Sequence, residues 1–370
     1  MDRLGVYIHI PFCAKKCPYC DFYSVRYNKD LVSRYVDALV RNFRAFRDKY
    51  GIHKATSVYF GGGTPLLLSP AQLDILLSAL SECFDIDENA EITAEANPSM
   101  SDKTRLSEYR KTGINRISFG VQSFCDDELK SLGRTHTAEG AKRAIVNAFD
   151  AGFENISADI MLGILGQNEE SLARTIDITG KLPLSHISAY MLKIEENTPY
   201  NCDEIKNALP DDDSVAELYL FACKELEERG FLQYEISNFA KERRQSRHNL
   251  LYWKSLDYVG FGAAAHSCFR GSRFAVPCDI GAYIENITQQ EVITDDNPCT
   301  FSEYAMLRLR LCEGLSLHKA KERFSFDEEE ILKRAEKFRR NNLLKIENDR
   351  IILTRQGFLV SNGIIADLIV

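Results

Sequence analysis

Residues 5–22 read GVYIHIPFCAKKCPYCDF: an apolar, strand-like run from Gly5 to Ile10 leads into a loop that carries Cys13, Cys17 and Cys20 within eight positions. Two thiols at such spacing would suit a redox pair and four a closed metal site. Three leave one coordination position open. Thiolates are soft ligands that take zinc, Cu(I) or iron-sulfur clusters, and no second C-x-x-C pair exists in the chain to complete a structural zinc site. His9 could be a fourth ligand, but inside an extended strand it reads better as a packing or hydrogen-bonding residue. A 4Fe-4S cluster ordinarily takes four thiolates, so with three one iron is free for an external ligand.

Beyond this loop, β-branched and aromatic runs recur at Thr56–Phe60, Ala90–Glu95, Arg116–Val121, Ile156–Leu162 and His186–Leu192. Helical patterns lie between them. Leu31–Tyr50 has apolar residues at helical spacing, and Ser69-Pro70 caps and opens Ala71–Phe84. Ser101–Lys111, Ala138–Ala151 and Ser214–Arg229 run up to Gly113, Gly152 and Gly230, the residue type that ends helices. Six strand-helix repeats predict an α/β fold with a parallel sheet, specifically a partial (β/α)6 TIM-like barrel, with a doubly wound sheet as the alternative. Near Pro298 the pattern changes to helices at Phe301–Cys312, Leu317–Arg323 and Asp327–Asn341. The hairpin-like LLKIENDRIILT follows, with Asn348-Asp349 at its turn. That order predicts a small α+β, winged-helix-like C-terminal domain, and we divide the chain into a core over 1–275 and this domain over 276–370.

The net charge of −8 argues against a general nucleic-acid binder, which would need a Lys/Arg excess. KERRQSRH (241–248) is the one strongly basic run. No apolar stretch suits a signal peptide or a membrane span, which predicts a cytoplasmic protein that meets membranes only through partners. The other eight of the eleven cysteines are scattered, and in a reducing compartment they read as small buried apolar residues.

Active sites of such barrels gather where strands end, and the Cys13 loop follows the first strand directly. Gly61-Gly62-Gly63-Thr64-Pro65 follows the second. Its missing side chains would let a ligand approach the backbone, although a tight turn explains a glycine triplet equally well. Glu95, Gln122 and Asp159 are polar groups in or beside apolar strands, where each needs a partner. Singly each could be structural; their recurrence on successive strands favours a pocket.

The C-x3-C-x2-C spacing with Tyr19 before the last cysteine resembles the radical S-adenosylmethionine (SAM) superfamily, in which SAM chelates the open iron of a 4Fe-4S cluster. YIHIPFC-x3-CPYCDF, GGGTP, EANP, GVQSF, Arg134, DIMLG, RHNLLYW and GFGAAAHS together resemble the HemN/HemW family of oxygen-independent coproporphyrinogen oxidases and heme chaperones. The resemblance covers nearly the whole chain and includes a HemN-type C-terminal domain. It implies that Cys13, Cys17 and Cys20 hold the cluster and that Tyr7, Gly62 and Glu95 line its SAM. Tyr19, Gly63, Thr64, Gln122, Arg134 and Asp159, with Lys193 and His266 by alignment alone, match contacts to a second SAM in the oxidases.

Two departures point toward the chaperones. Asp21-Phe22 stand where the oxidases continue to a further cysteine, and the N-terminal extension of the oxidases has no counterpart before Gly5. The motif HN-x-x-YW is present as His248, Asn249, Tyr252 and Trp253, offering an imidazole for heme iron and aromatic faces for a macrocycle. A segment with its aromatics turned to the core is the competing reading. Arg243, Arg244 and Arg247 could pair with heme propionates or could be a solvated loop.

The resemblance thus implies a chaperone that binds a 4Fe-4S cluster, SAM and heme and delivers heme to respiratory enzymes. Its expected partners include an electron donor such as flavodoxin or a reduced nicotinamide system, and a cluster-dependent homodimer is left open. An oxidase acting on coproporphyrinogen III through a 5'-deoxyadenosyl radical is the main alternative; an RNA-modifying radical enzyme is a third, opposed by the acidic charge.

Overall fold

The six expected strands form one continuous parallel sheet in the computed structural model, which describes residues 4–100 and 102–369. They are β1 (Leu4–Ile10), β2 (His53–Gly62), β3 (Phe84–Ala96), β4 (Arg116–Gln122), β5 (Asn155–Leu162) and β6 (His186–Met191). Each pairs in parallel with the next. Between them run α1 (Lys29–Tyr50), α2 (Pro70–Cys83), α3 (Lys103–Lys111), α4 (Ala138–Asp150), α5 (Glu169–Lys181) and, after β6, α6 (Asp212–Glu228).

The wall does not close. Antiparallel Asn238–Ala240 and Leu232–Glu235 extend it beyond β6. On the other side Tyr258–Phe261 pairs in parallel with β1, followed by antiparallel His266–Phe269, Ser272–Ala275 and Val292–Asp295. The partial (β/α)6 barrel is therefore observed, enlarged by flanking strands of four residues or fewer that are too short for a periodicity to show.

Local signals did what their chemistry predicts. Ser69 and Gln72 form a reciprocal capping box with Pro70 at the first helical position. Gly113, Gly152 and Gly230 leave their helices at φ +109°, +94° and +81°. Helix α3 is capped by Asp102; Ser101, where the sequence pattern begins, lies outside the described residues, as do the chain ends 1–3 and 370. Helix α5 escaped the sequence reading because its Thr and Ile residues and Gly180 lower its propensity, yet Asn168 and Ser171 cap it reciprocally.

Alternate residues of β1 divide the sheet into two faces. Val6, Ile8 and Ile10 join the apolar core against α1, which buries Val32, Val36, Leu39, Phe43 and Phe46. Tyr7 and His9 point the other way, into the barrel lumen, where Tyr7 stacks on Tyr59 of β2. The C-terminal part follows the expected winged-helix-like order. Helix Phe301–Arg308, strand Leu315–Ser316, helices Leu317–Lys321 and Glu328–Arg340, and the hairpin Leu344–Glu347/Arg350–Leu353 follow in turn, and the strand and the hairpin form one three-stranded sheet. Asn348 turns the hairpin at φ +55°.

One expectation is corrected. Of the eight scattered cysteines, Cys202 and Cys278 are exposed and Cys125, Cys299 and Cys312 half-buried, so only Cys83, Cys223 and Cys268 are core residues. Among the described residues no helix is long and apolar enough to cross a membrane.

Candidate functional site

The segment after β1 is pinned before it reaches its third cysteine. Phe12–Cys13 pairs in parallel with Val25–Arg26, the Tyr27 N–H donates to the Cys13 carbonyl at 2.9 Å, and the Cys20 N–H donates to that of Cys17 at 3.1 Å. The loop therefore folds back over the C-terminal ends of the strands, where Cys13, Cys17 and Cys20 line one cleft. Gly62, Gly63, Thr64, Glu95, Gln122, Arg134, Asp159 and Tyr19 line the same cleft, so most of the residues singled out from sequence converge.

The three thiols are free, half-buried and close enough that Cys17 and Cys13 add to the burial that pushes the Cys20 thiol above its ordinary range. Among the described residues no three His, Cys, Asp or Glu side chains converge on a point for one ion. Three soft thiolate ligands lining one cleft fit the 4Fe-4S cluster that the resemblance implies, in which each thiolate would meet its own iron. Arg134 supports them: its Nη1 donates to Cys17 Sγ and to the Tyr19 hydroxyl, each at 3.4 Å, and its Nη2 to the Gly120 carbonyl. When bound there, a reduced cluster would supply the electron that cleaves SAM.

The glycine triplet has a packing reason. A Cβ on Gly62, at φ +109°, would sit 2.6 Å from the His9 ring, and one on Gly63 would sit 2.6 Å from the Phe12 carbonyl oxygen. The Gly63 and Thr64 N–H groups donate to Ile10 and Phe12 carbonyls at 2.9 and 2.8 Å. The triplet thus docks the cysteine loop against β2. Gly63→Ala is expected to destabilise the protein by about 1–3 kcal/mol through overpacking and to lower cluster occupancy, as measured by urea denaturation and iron content.

Glu95 is the best-defined anchor in the lumen. Its Oε1 accepts from the Tyr59 hydroxyl at 2.8 Å and its Oε2 from the Gly62 N–H at 3.1 Å. Burial nevertheless raises its carboxyl from 4.5 to about 7, against these two hydrogen bonds and with help from Asp159. Burial also raises Asp159, whose Oδ1 accepts from Ser118 at 3.3 Å. Arg116, 2% exposed, lowers both carboxyls, and Arg134 lowers Asp159 as well. Gln122, at φ +70°, accepts from the Tyr190 hydroxyl at 3.0 Å. Tyr59, Arg116 and Tyr190 were missed from sequence; the available signal was a large polar residue at an inward position of an apolar strand.

Three further expected residues lie off the cleft wall. Tyr7 is behind it, bonded through its hydroxyl to His9 Nδ1 at 2.9 Å. Lys193 is 80% exposed in its side chain and paired with Glu195 at 2.7 Å. His266 is exposed at the start of its strand.

The HN-x-x-YW motif lies in the lumen and not on the cleft. It forms helix Arg247–Trp253, capped by Ser246, and Glu91 accepts the Arg247 and His248 N–H groups, both at 3.0 Å. His248 is fully buried, with Nδ1 bonded to Ser57 Oγ at 2.8 Å and Nε2 to the Tyr252 hydroxyl at 2.7 Å. Its ring stacks on Tyr59 at 5.1 Å between centroids. Both nitrogens are thus occupied, and the imidazole offered to heme iron in the sequence reading is closed in this conformation. Glu91 precedes Glu95 by four residues on β3, about 13 Å along the strand, so the N-terminus of the helix plugs the lumen below the level of Glu95, with Tyr59 between His248 and that carboxylate. The arginines lie there too: Arg247 donates to the Asn89 carbonyl and Arg244 pairs with Glu154, while Arg243 has its side chain 90% exposed.

A partial parallel barrel with three thiols and a buried acidic anchor at its open end is the arrangement that the radical SAM resemblance implies, and likeness to known proteins bears out that class. The Radical SAM superfamily model matches residues 7–178 and the HemN C-terminal domain model residues 301–360. The chain is 31% identical over 366 residues to the Heme chaperone HemW of Lactococcus lactis, covering 97% of this chain and 96% of that one. It is 34% identical over 372 residues to the Heme chaperone HemW of Bacillus subtilis, covering 97% of each. Among solved structures, coproporphyrinogen III oxidase (HemN) from Escherichia coli superposes with a TM-score of 0.82 at 21% identity, covering all of this chain and 90% of the other. The chain belongs to the HemW family of radical SAM proteins.

Proposed function

We propose that this protein is a heme chaperone: it holds a 4Fe-4S cluster on Cys13, Cys17 and Cys20, binds SAM at the cluster, binds heme, and passes the heme to membrane respiratory hemoproteins. The observation that carries the reading is the end-to-end likeness to relatives named Heme chaperone HemW, which spans both the cysteine loop and the C-terminal domain. The likeness to HemN, at 21% identity, speaks for the fold alone.

In this reading Glu95 and the Gly62 backbone receive the SAM ammonium and methionyl groups, and Arg134 faces an anionic group on the cysteine side. The role of the protein is to position these groups and to exclude water from them. Electrons come from a flavodoxin or a reduced nicotinamide system in the cytoplasm. The macrocycle needs an iron ligand other than His248 in its closed form.

The test offers the cluster-reconstituted protein heme in one tube and coproporphyrinogen III with SAM and reductant in another. The expected result is stoichiometric heme binding, transfer of that heme to an apo-form respiratory cytochrome, and no decarboxylated porphyrinogen. Decarboxylated product without heme binding would instead establish the oxidase.

A further inference from the structure

Away from the cluster cleft, two thiols meet. Cys268 lies on strand His266–Phe269, and Cys299 directly precedes Thr300, the cap of the first C-terminal helix Phe301–Arg308. Their sulfurs are 3.9 Å apart. We propose that Cys268 and Cys299 are a redox-active dithiol that a low-molecular-weight disulfide closes to a protein disulfide, tying the entrance of the C-terminal domain to the large sheet.

The geometry around the pair supports this independently of the sulfur distance. Cys299 stands at φ +64° and Ser255 at φ +53°, two left-handed conformations that non-glycine residues rarely adopt, and the Ser255 hydroxyl donates to Cys299 Sγ at 3.1 Å. The Cys299 N–H donates to Glu303 Oε2 at 2.6 Å, and Glu303 also pairs with Arg273 on the strand beside Cys268. Backbone and side-chain contacts from both parts of the chain thus aim the two thiols at each other. Cys299 is half-buried and Cys268 buried, so an external disulfide reaches Cys299 first and Cys299 is the attacking sulfur; hydrogen bonds from Cys268 and Ser255 also hold its thiol below its ordinary range. Closure requires the sulfurs to approach to about 2.05 Å. Cys268 is fixed by strand pairing, so the movement falls on the connecting stretch before Thr300.

The step balances. The Cys299 thiolate attacks one sulfur of oxidised glutathione and releases the first glutathione thiolate; Cys268 gives up its proton and displaces the second from the mixed disulfide. Two protein thiols lose two electrons and two protons, and one glutathione disulfide becomes two glutathione thiols.

The exposed thiols Cys202 and Cys278 supply an internal control. Cluster-reconstituted protein is titrated anaerobically with oxidised glutathione, remaining thiols are alkylated, and peptides are mapped by mass. The expected result is a Cys268–Cys299 crosslinked peptide, two hydrogens lighter than its reduced parts. It should form at about tenfold less oxidant than glutathionylates Cys202 and Cys278, because the second thiol acts intramolecularly. Cys268→Ser should trap glutathione on Cys299, whereas Cys299→Ser should leave the buried Cys268 reduced. Overturning results are Cys268 and Cys299 both still alkylatable once Cys202 and Cys278 carry glutathione, or a wild-type mixed disulfide on Cys299 that never resolves.

Discussion

SAM affinity of the reconstituted protein is expected to fall about tenfold for each pH unit below about 7, and the substitution Glu95→Gln to remove that dependence while weakening binding at pH 8. The SAM amino group is held by donating its N–H to an ionised carboxylate, and that carboxyl is raised by burial to about 7. Below that value Glu95 is neutral and accepts a cation poorly. Asp159 is raised in the same chamber, and the Gln variant separates its contribution from that of Glu95. Folding stability runs the opposite way. A carboxyl whose folded pKa exceeds its unfolded value holds its proton longer when folded, so its contribution is fully present below 4.5 and is lost as pH rises through about 7. At about 1.4 kcal/mol per unit the penalty at pH 8 is about 3 kcal/mol. Without SAM, Glu95→Gln should therefore be more stable than wild type at pH 8 and close to it at pH 5, as measured by urea denaturation. A SAM affinity that stays flat in the wild type between pH 8 and 6 would remove Glu95 as the anchor. This opposition between stability and binding is what a preorganised site predicts, since charge buried without a partner is costly until the ligand arrives.

The parts legible in the sequence were those set by short-range physics. Alternating apolar strands, capping residues and helix-ending glycines gave six strands, five of the six barrel helices and the winged C-terminal order. The gathering of Cys13, Cys17 and Cys20 was legible from their spacing because all three lie in one loop, which brings them to one cleft. What could not be read was anything fixed by long-range pairing. His248 meets Ser57 across 191 positions, and the Arg247 N–H meets Glu91 across 156, so no local pattern tells whether that imidazole faces solvent or core. The glycine triplet was legible as a close approach, but the approaching partner, Phe12 of the same chain, was not.

The lumen also contains a pattern visible only in three dimensions. Ser57, His248 and Tyr252 form one serine–histidine–tyrosine chain, and Ser157, His186 and Tyr234 form a second, with Ser157 Oγ to Nδ1 and Nε2 to the tyrosine hydroxyl both at 2.8 Å. Both histidines are fully buried, and burial together with Arg116 keeps both neutral. As a neutral imidazole each ring donates from one nitrogen and accepts at the other, and so satisfies both hydroxyls. The lower half of the barrel is thus a buried polar network built on these two chains, with Thr93 Oγ1 and Arg116 Nε left unpartnered beside them, and the upper half, with Glu95, Asp159 and three thiols around a cleft, is the part left open to ligands.

Replacing His248 tests this division. His248→Leu would leave the Ser57 and Tyr252 hydroxyls without their shared partner, at about 1–3 kcal/mol for each buried group left unmade. A total loss of about 2–4 kcal/mol at pH 8 is expected in urea denaturation. The pH dependence identifies the cause. Burial lowers the imidazole from 6.5 to about 3, so its stabilising contribution is present above 6.5 and is lost as pH falls toward 3. The gap between wild type and His248→Leu should therefore narrow as the pH is lowered below 6.5. The ring also backs Tyr59, whose hydroxyl holds Glu95, so SAM binding should weaken about fivefold, the value of one hydrogen bond. Heme stoichiometry should be retained, because iron cannot reach an imidazole with both nitrogens engaged. The converse outcome, heme binding lost at unchanged stability, would mean that helix Arg247–Trp253 releases His248 to the iron, and the closed ring would then be the resting form of a heme ligand.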